Sequence, residues 1–275
     1  MNITFIGGGN MAAAIIGGLL QKRWQPDQLR AVEISAPARE KLEQSFRVRT
    51  HAALSAGAVS ADCLVLAVKP QQLREVALTL APLLGQQLVV SIAAGIRCAD
   101  LSRWLGGYQR IVRVMPNTPA LVLAGVSGLY AMPGVGESDR NRAGEILGAV
   151  GATLWFAREE DLDAVTAVSG SGPAYVFYFI EALQQAALDL GLSAEQARQL
   201  AIGTFTGAAT LAAQSSEDAA TLRARVTSRG GTTECALASM EAAKLKSAIV
   251  EAVKAAAVRS RELGAELGQD RVSIL

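Results

Sequence analysis

Ile3-Thr-Phe-Ile6-Gly7-Gly-Gly9-Asn10-Met11-Ala12 decides how this 275-residue chain is read. Ile3-Thr-Phe-Ile6 reads as a short buried strand. A glycine turn follows, and a helical run from Ala13 to about Leu20 comes next. Gly7, Gly9 and Ala12 fill a G-x-G-x-x-A pattern, with Asn10 and Met11 between them. The first glycine makes the tight turn, the second admits a pyrophosphate to the backbone, and the small third residue lets helix and strand pack closely. Such a motif is specific when it directly follows the first strand and opens a helix, as it does here.

The pattern continues outward. Leu29-Arg-Ala-Val-Glu-Ile34 reads as a second strand whose end faces the adenosine ribose. Glu33 there suits a ribose 2′-OH and hence NAD, whereas Ser35 and Arg39 suit a 2′-phosphate and hence NADP. Both readings stay open, as does that of solvated surface residues. Cys63-Leu-Val-Leu-Ala-Val68 is a continuous apolar run, as expected for a parallel strand buried on both faces. Lys69-Pro70 ends it, and a helix is expected from Gln71 to Leu84. Leu88 to Ala93 and Ile111 to Met115 repeat the strand pattern, closed by Ala94-Gly95 and Pro116-Asn117-Thr-Pro119. Ligands of doubly wound sheets sit outside the carboxyl ends of the strands. Val68, Lys69, Pro70, Ala93, Ala94 and Asn117 therefore join the fingerprint as a candidate cofactor rim.

Weaker strands are expected at Ser127–Ala131 and Ala152–Phe156, around a helix from Glu137 to Ala149. The strand signal stops between Ala157 and Asp161. This divides the chain into a dinucleotide-binding domain over 1–158 and a helical domain over 159–275. The fold class is thus α/β, a Rossmann-like doubly wound, mostly parallel sheet followed by an all-helical C-terminal domain. Leu162, Val165, Phe177, Ile180, Leu183, Ala187 and Leu190 recur at helical spacing up to a C-capping Gly191. Ser169-Gly-Ser-Gly-Pro173 should kink or locally open that run. Ser193 caps a helix to about Gln214, Ala219–Val226 forms a further segment, and a long helix is expected from Glu234 to Leu267.

Between those last two segments lies Val226-Thr-Ser-Arg-Gly230-Gly231-Thr232-Thr233. Taken alone, it reads first as a glycine turn in which Thr232 or Thr233 caps the next helix. The second reading is a site for a small anion such as a carboxylate, received by the helix's leading N–H groups.

Composition removes other chemistries. Lys plus Arg total 26 against 25 Asp plus Glu, so nothing points to nucleic acid or an anionic membrane. One histidine, His51, and three isolated cysteines, Cys63, Cys98 and Cys235, offer neither a Ser-His-Asp arrangement nor a metal-ligand spacing. No metal site is expected, and His51 reads as a surface residue. The odd, scattered cysteines and the lack of a secretory leader or apolar span place the chain in a cytoplasm.

At this point the chain resembles pyrroline-5-carboxylate reductase, the last enzyme of proline biosynthesis. The resemblance is carried by Phe5-Ile-Gly-Gly-Gly-Asn-Met11, Val68-Lys-Pro70, Ser91-Ile-Ala-Ala-Gly95, Arg113-Val-Met-Pro-Asn-Thr-Pro-Ala120, Val168-Ser-Gly-Ser-Gly-Pro-Ala-Tyr-Val176 and Val226–Thr233. It implies an oxidoreductase that transfers hydride from NADPH, with NADH possible, to the C=N carbon of 1-pyrroline-5-carboxylate. It implies that the backbone of Gly230, Gly231, Thr232 and Thr233 holds the substrate carboxylate. Thr233 is the implied catalytic residue, beside the ring nitrogen, and Glu159 an acidic position at the substrate and nicotinamide site. The helical domain is then a dimerisation domain, and dimers often build larger rings. The family turn commonly has Pro where this chain has Arg229. A β-hydroxyacid dehydrogenase is the other enzyme reading, but Val176 stands where those enzymes carry a lysine. A nucleotide sensor without catalysis would not need the Gly230–Thr233 turn.

Overall fold

The computed structural model describes residues 1–269; residues 270–275 of the expected helical domain lie outside them. The described chain falls into two compact units, Met1–Ser171 together with the chain from Ala256, and Gly172–Ala255.

The first unit is built on one eight-stranded sheet in the order β3-β2-β1-β4-β5-β6-β7-β8. Its strands are β1 (Ile3–Ile6), β2 (Leu29–Val32), β3 (Arg49–His51), β4 (Cys63–Leu66), β5 (Leu88–Ser91), β6 (Ile111–Met115), β7 (Gly125–Ala131) and β8 (Gly151–Trp155). Every pairing is parallel except β6 with β7. Helices α1 (Asn10–Gln21), α2 (Ala36–Phe46), α3 (Pro70–Leu80), α4 (Cys98–Trp104) and α5 (Glu137–Gly148) alternate with the strands. The order reverses between β1 and β4, and ligands of such sheets bind at that switch point. The apolar runs that mark β1, β4 and β5 are buried on both faces, with one core on each side of the sheet. Each fully buried Leu or Ile there contributes roughly 1.5–3 kcal/mol.

Several boundaries differ from the sequence reading. Helix α1 starts at Asn10, because Gly9 is already extended and serves as its N-cap. Strand β3 and helices α2 and α4 were not anticipated; β3 is short and lacks an apolar run. His51 lies in this strand, half-buried, and its carbonyl accepts the Glu33 N–H at 2.9 Å. It is not a plain surface residue.

Next, α6 (Asp161–Val165) runs into a π-helical turn at Thr166–Gly170. The Ser171 N–H reaches the Thr166 carbonyl at 2.8 Å, the wide i to i−5 bond of that geometry. The local opening expected at Ser169–Pro173 is therefore real, and it lies mainly just before those residues. The second unit contains α7 (Gly172–Asp189), α8 (Ala194–Gln214), α9 (Ala219–Arg225), α10 (Thr232–Ala242) and the start of α11 (Leu245–Leu267). Ser193 caps α8 with a reciprocal bond from Gln196, as the sequence indicates. The single long helix expected from Glu234 is broken, because Lys244 adopts φ +53° between α10 and α11.

Candidate active site

The sheet unit brings five of the nominated cofactor residues to one cavity of about 610 Å³. Gly7, Gly9, Ser35, Val68 and Lys69 line it, with Glu33 and Ala52–Leu54 beside them. Gly7 has φ +101°, and a Cβ there would lie 2.7 Å from the Ala67 carbonyl, so both conformation and space demand glycine. Gly9 is different: a Cβ on it would meet nothing within 4 Å. Its bare Cα borders open space in front of the α1 N-terminus, the approach that a pyrophosphate needs. Asn10 and Met11 open α1, and Ala12 is fully buried against the sheet. These residues fit a dinucleotide.

Gly8 has a role that the fingerprint alone does not reveal. A Cβ on it would lie 2.7 Å from Leu42 and 3.2 Å from the Glu33 side chain. Its N–H donates to Glu33 Oε2 at 2.8 Å, while Glu33 Oε1 accepts the Ser35 N–H at 2.8 Å. Arg39 turns Nη1 to the Glu33 and Ile34 carbonyls at 2.8 and 2.9 Å, bracing the end of β2. Ser35 is the exposed N-cap residue of α2, without a side-chain capping bond.

Pro70 begins α3 with Lys69 as its N-cap, which is a good place for proline because its missing N–H is not needed there. Ala93 is buried and Ala94 exposed, in the turn that ends at Gly95 (φ +77°). Gly264 of α11 supports that turn, since a Cβ on it would lie 3.3 Å from the Gly95 carbonyl. Asn117 is buried and spends its amide internally. It donates to the Ser169 carbonyl and hydroxyl, both at 3.2 Å, and accepts the Val126 N–H at 2.9 Å. Its side chain ties the π-turn to β7 rather than lying open at the rim.

Glu159 is also engaged. Its Oε1 accepts from Arg113 Nη1 at 2.9 Å and from the Cys98 N–H at 2.7 Å. Arg113 is buried within β6, where an unpaired guanidinium would be costly. A charged residue inside Ile-Val-Arg-Val-Met was itself a sequence signal that a carboxylate partner existed. Burial, with the Glu159 charge second, pushes the Cys98 thiol pKa far up and keeps it protonated. A second pairing lies nearby: Asp163 accepts from Ser260 at 2.7 Å and faces Arg97 at 3.6 Å. Together these contacts fix the turn after β5, the end of β6 and the start of α6.

The Gly230–Thr233 turn belongs to the helical unit. Gly230 has φ +72°, and a Cβ on Gly231 would lie 2.5 Å from Ser228 Oγ. The N-cap of α10 is Gly231, with no side-chain cap, so neither threonine caps the helix. Thr232 and Thr233 occupy its first two positions instead. The Gly230 N–H donates to Glu234 Oε2 at 2.7 Å and the Gly231 N–H to the Ser228 carbonyl at 3.1 Å. The first rung of the helix runs from the Cys235 N–H to the Gly231 carbonyl at 3.2 Å. The N–H groups of Thr232 and Thr233 therefore precede the ladder, where an anion is favoured. Of the four N–H groups nominated for the cradle, those of Gly230 and Gly231 are engaged within the turn itself.

Comparison with known proteins agrees with both halves. Residues 159–263 match the family described as pyrroline-5-carboxylate reductase dimerisation, and residues 2–95 match NADP oxidoreductase, coenzyme F420-dependent. The chain is 47% identical to pyrroline-5-carboxylate reductase of Pseudomonas aeruginosa, over 97% of this chain and 98% of that protein. A solved pyrroline-5-carboxylate reductase from Coxiella burnetii superposes with a TM-score of 0.91 at 41% identity, covering 95% of this chain and 98% of that one. The Plasmodium falciparum pyrroline carboxylate reductase, solved with NADP bound, gives 0.85 at 29% identity over 96% and 98%. Matched by such relatives over nearly its whole length, the chain belongs to the pyrroline-5-carboxylate reductase family.

Proposed function

We propose that this chain reduces 1-pyrroline-5-carboxylate to L-proline with NADPH, the last step of proline biosynthesis, as a homodimer or an assembly of dimers. The observation that carries this reading is the coexistence, in a chain that spans 98% of a pyrroline-5-carboxylate reductase relative, of the open Gly9 approach and the Thr232–Thr233 helix start.

A cyclic imine accepts hydride most readily when protonated, so the protein must position the donor and complement charge rather than supply a nucleophile. NADPH, when bound, supplies the hydride. Gly7, Gly9, Asn10, Met11 and Ala12 would receive its pyrophosphate, with Ser35 and Arg39 toward the ribose and Val68, Lys69, Pro70, Ala93 and Ala94 along the rim. The N–H groups of Thr232 and Thr233 would bind the substrate carboxylate, with Gly230 and Gly231 shaping the turn around it. The Thr233 hydroxyl would hydrogen-bond the ring nitrogen and hold the iminium in register. Glu159 and Asn117 act in this reading by holding the strand-end turns in place.

We keep the functional division at residues 158 and 159, supported by the family match that begins at 159. Dimerisation is supported by that match and by large exposed apolar residues on α7, with Phe177 65% and Tyr178 72% accessible in the single chain. Among the described residues no helix is long and apolar enough to cross a membrane. We place the protein in the cytoplasm. The test is oxidation of NADPH and NADH by purified protein, followed at their absorbance. Turnover is expected only when pyrroline-5-carboxylate is supplied; equal turnover with hydroxy- or keto-acids would overturn the reading.

A further inference from the structure

We propose that Glu33 is a selectivity residue that disfavours the 2′-phosphate of NADPH and so makes NADH a competitive donor. The inference rests on the cofactor reading above but not on the identity of the reduced substrate. Glu33 directly follows β2, whose carboxyl end faces the adenosine ribose in a doubly wound sheet. It lines the same cavity as Gly7, Gly9 and Ser35.

Its carboxylate is held in place. One oxygen accepts the Gly8 N–H and the other the Ser35 N–H, both at 2.8 Å. A loose glutamate could swing away from an incoming phosphate, but this one would have to break two charge-assisted bonds to do so. The neighbouring guanidinium does not neutralise it through those bonds, because Arg39 Nη1 is directed at the Glu33 and Ile34 carbonyls. Both carboxylate oxygens thus accept from neutral backbone donors at the ribose end. A ribose 2′-OH can still donate to a remaining lone pair of such a carboxylate. A phosphate there would bring between one and two further negative charges and has no proton to offer when fully ionised. Ser35 and Arg39 act in the opposite direction, so the balance between the two cofactors is set at this corner.

The test is direct binding. Dissociation constants of NADPH and NADH are measured for the wild-type protein and for Glu33→Gln by quenching of tryptophan fluorescence. Glu33→Gln keeps the shape and one acceptor for the backbone but loses the charge. The ratio of NADH to NADPH dissociation constants should rise roughly 10-fold or more. Glu33→Ser, which removes charge and reach together, should shift the ratio the same way if the glutamine variant folds poorly. If both constants change by the same factor in the folded variants, Glu33 only braces the glycine loop and the proposal is wrong. A shifted ratio in a protein that does not reduce pyrroline-5-carboxylate would sustain this inference and defeat the substrate assignment.

Discussion

In the sheet unit Ile3, Phe5, Leu64 and Val90 are completely buried, whereas in the helical unit neither α7 nor α10 has a buried residue. In α8 only Ala197 and Ala201 are buried. Both units contain enough apolar side chains for a core. Only the first satisfies them within one chain, because a parallel sheet with helices on both faces encloses its strands. The helical unit has internal packing of its own, such as the Phe179 and Phe205 rings 6.5 Å apart. Its outer apolar surface nevertheless needs a second chain, which is what a dimerisation domain provides. The same contrast applies to the two glycine turns. Gly7 is wedged against the Ala67 backbone, while Gly230 meets nothing within 4 Å and is demanded by its φ alone.

The contrast can be broken most forcefully on α7. Phe177→Asp should weaken the dimer by roughly 100-fold or more, because a symmetric interface loses two buried phenyl groups worth about 1.5–3 kcal/mol each. Sedimentation velocity would show monomers at concentrations where the wild type is dimeric. An unchanged dimer would mean that this face is covered in some other way or not at all.

The next largest effect should fall on the sheet unit. Gly7→Ala places a Cβ 2.7 Å from the Ala67 carbonyl at a φ that side chains avoid. It should cost about 2–4 kcal/mol of unfolding free energy and abolish NADPH binding. Urea denaturation and fluorescence titration check the two halves. Wild-type stability would show that the strand ends are not as close as the geometry indicates.

A smaller effect concerns pH. The Cys63 and Cys98 thiols both have pKa values raised chiefly by burial, with Asp139 the next cause at Cys63 and Glu159 at Cys98. The unfolded thiol ionises near pH 8.5 and the folded one does not. Stability from this source is therefore intact below about pH 8.5 and erodes above it, by up to about 1.4 kcal/mol per thiol for each pH unit. Cys98→Ala should flatten the alkaline fall in denaturation midpoint relative to wild type, and an identical slope would contradict the assignment. The same thiols should stay silent to a thiol reagent until the protein is unfolded.

How much of this was legible beforehand depended on whether the signal was local. The β1 turn and α1 could be read because strand, glycines and helix are contiguous, and the buried strands β4 and β5 carried apolar runs. Strand β3 could not, since one exposed and two half-buried residues at a sheet edge carry no periodicity. The break at Lys244 was invisible because a lysine at φ +53° leaves no mark in composition. In the site, the glycines were legible and the polar partners were not. Asn117 and Glu159 were picked out for the cofactor rim and the substrate site, whereas the structure shows both in internal hydrogen bonds. Their partners, Ser169 and Val126 for one and Arg113 and Cys98 for the other, lie 9 to 61 positions away in sequence. Such pairs come together only through the sheet. Glu33 was seen as a charge at the ribose corner, but its clamp on Gly8 required the structure.

The central claim is a division of labour: the sheet unit holds the cofactor and the turn of the helical unit governs the substrate through Thr233. The most direct measurement is Thr233→Ala, with NADPH affinity and kcat/KM for pyrroline-5-carboxylate determined on the same preparation. The NADPH dissociation constant should stay within about twofold. The value of kcat/KM should fall roughly 10- to 150-fold, the worth of a hydrogen bond to a charged group. Wild-type kcat/KM in the variant, or a loss explained entirely by weaker NADPH binding, would contradict the account.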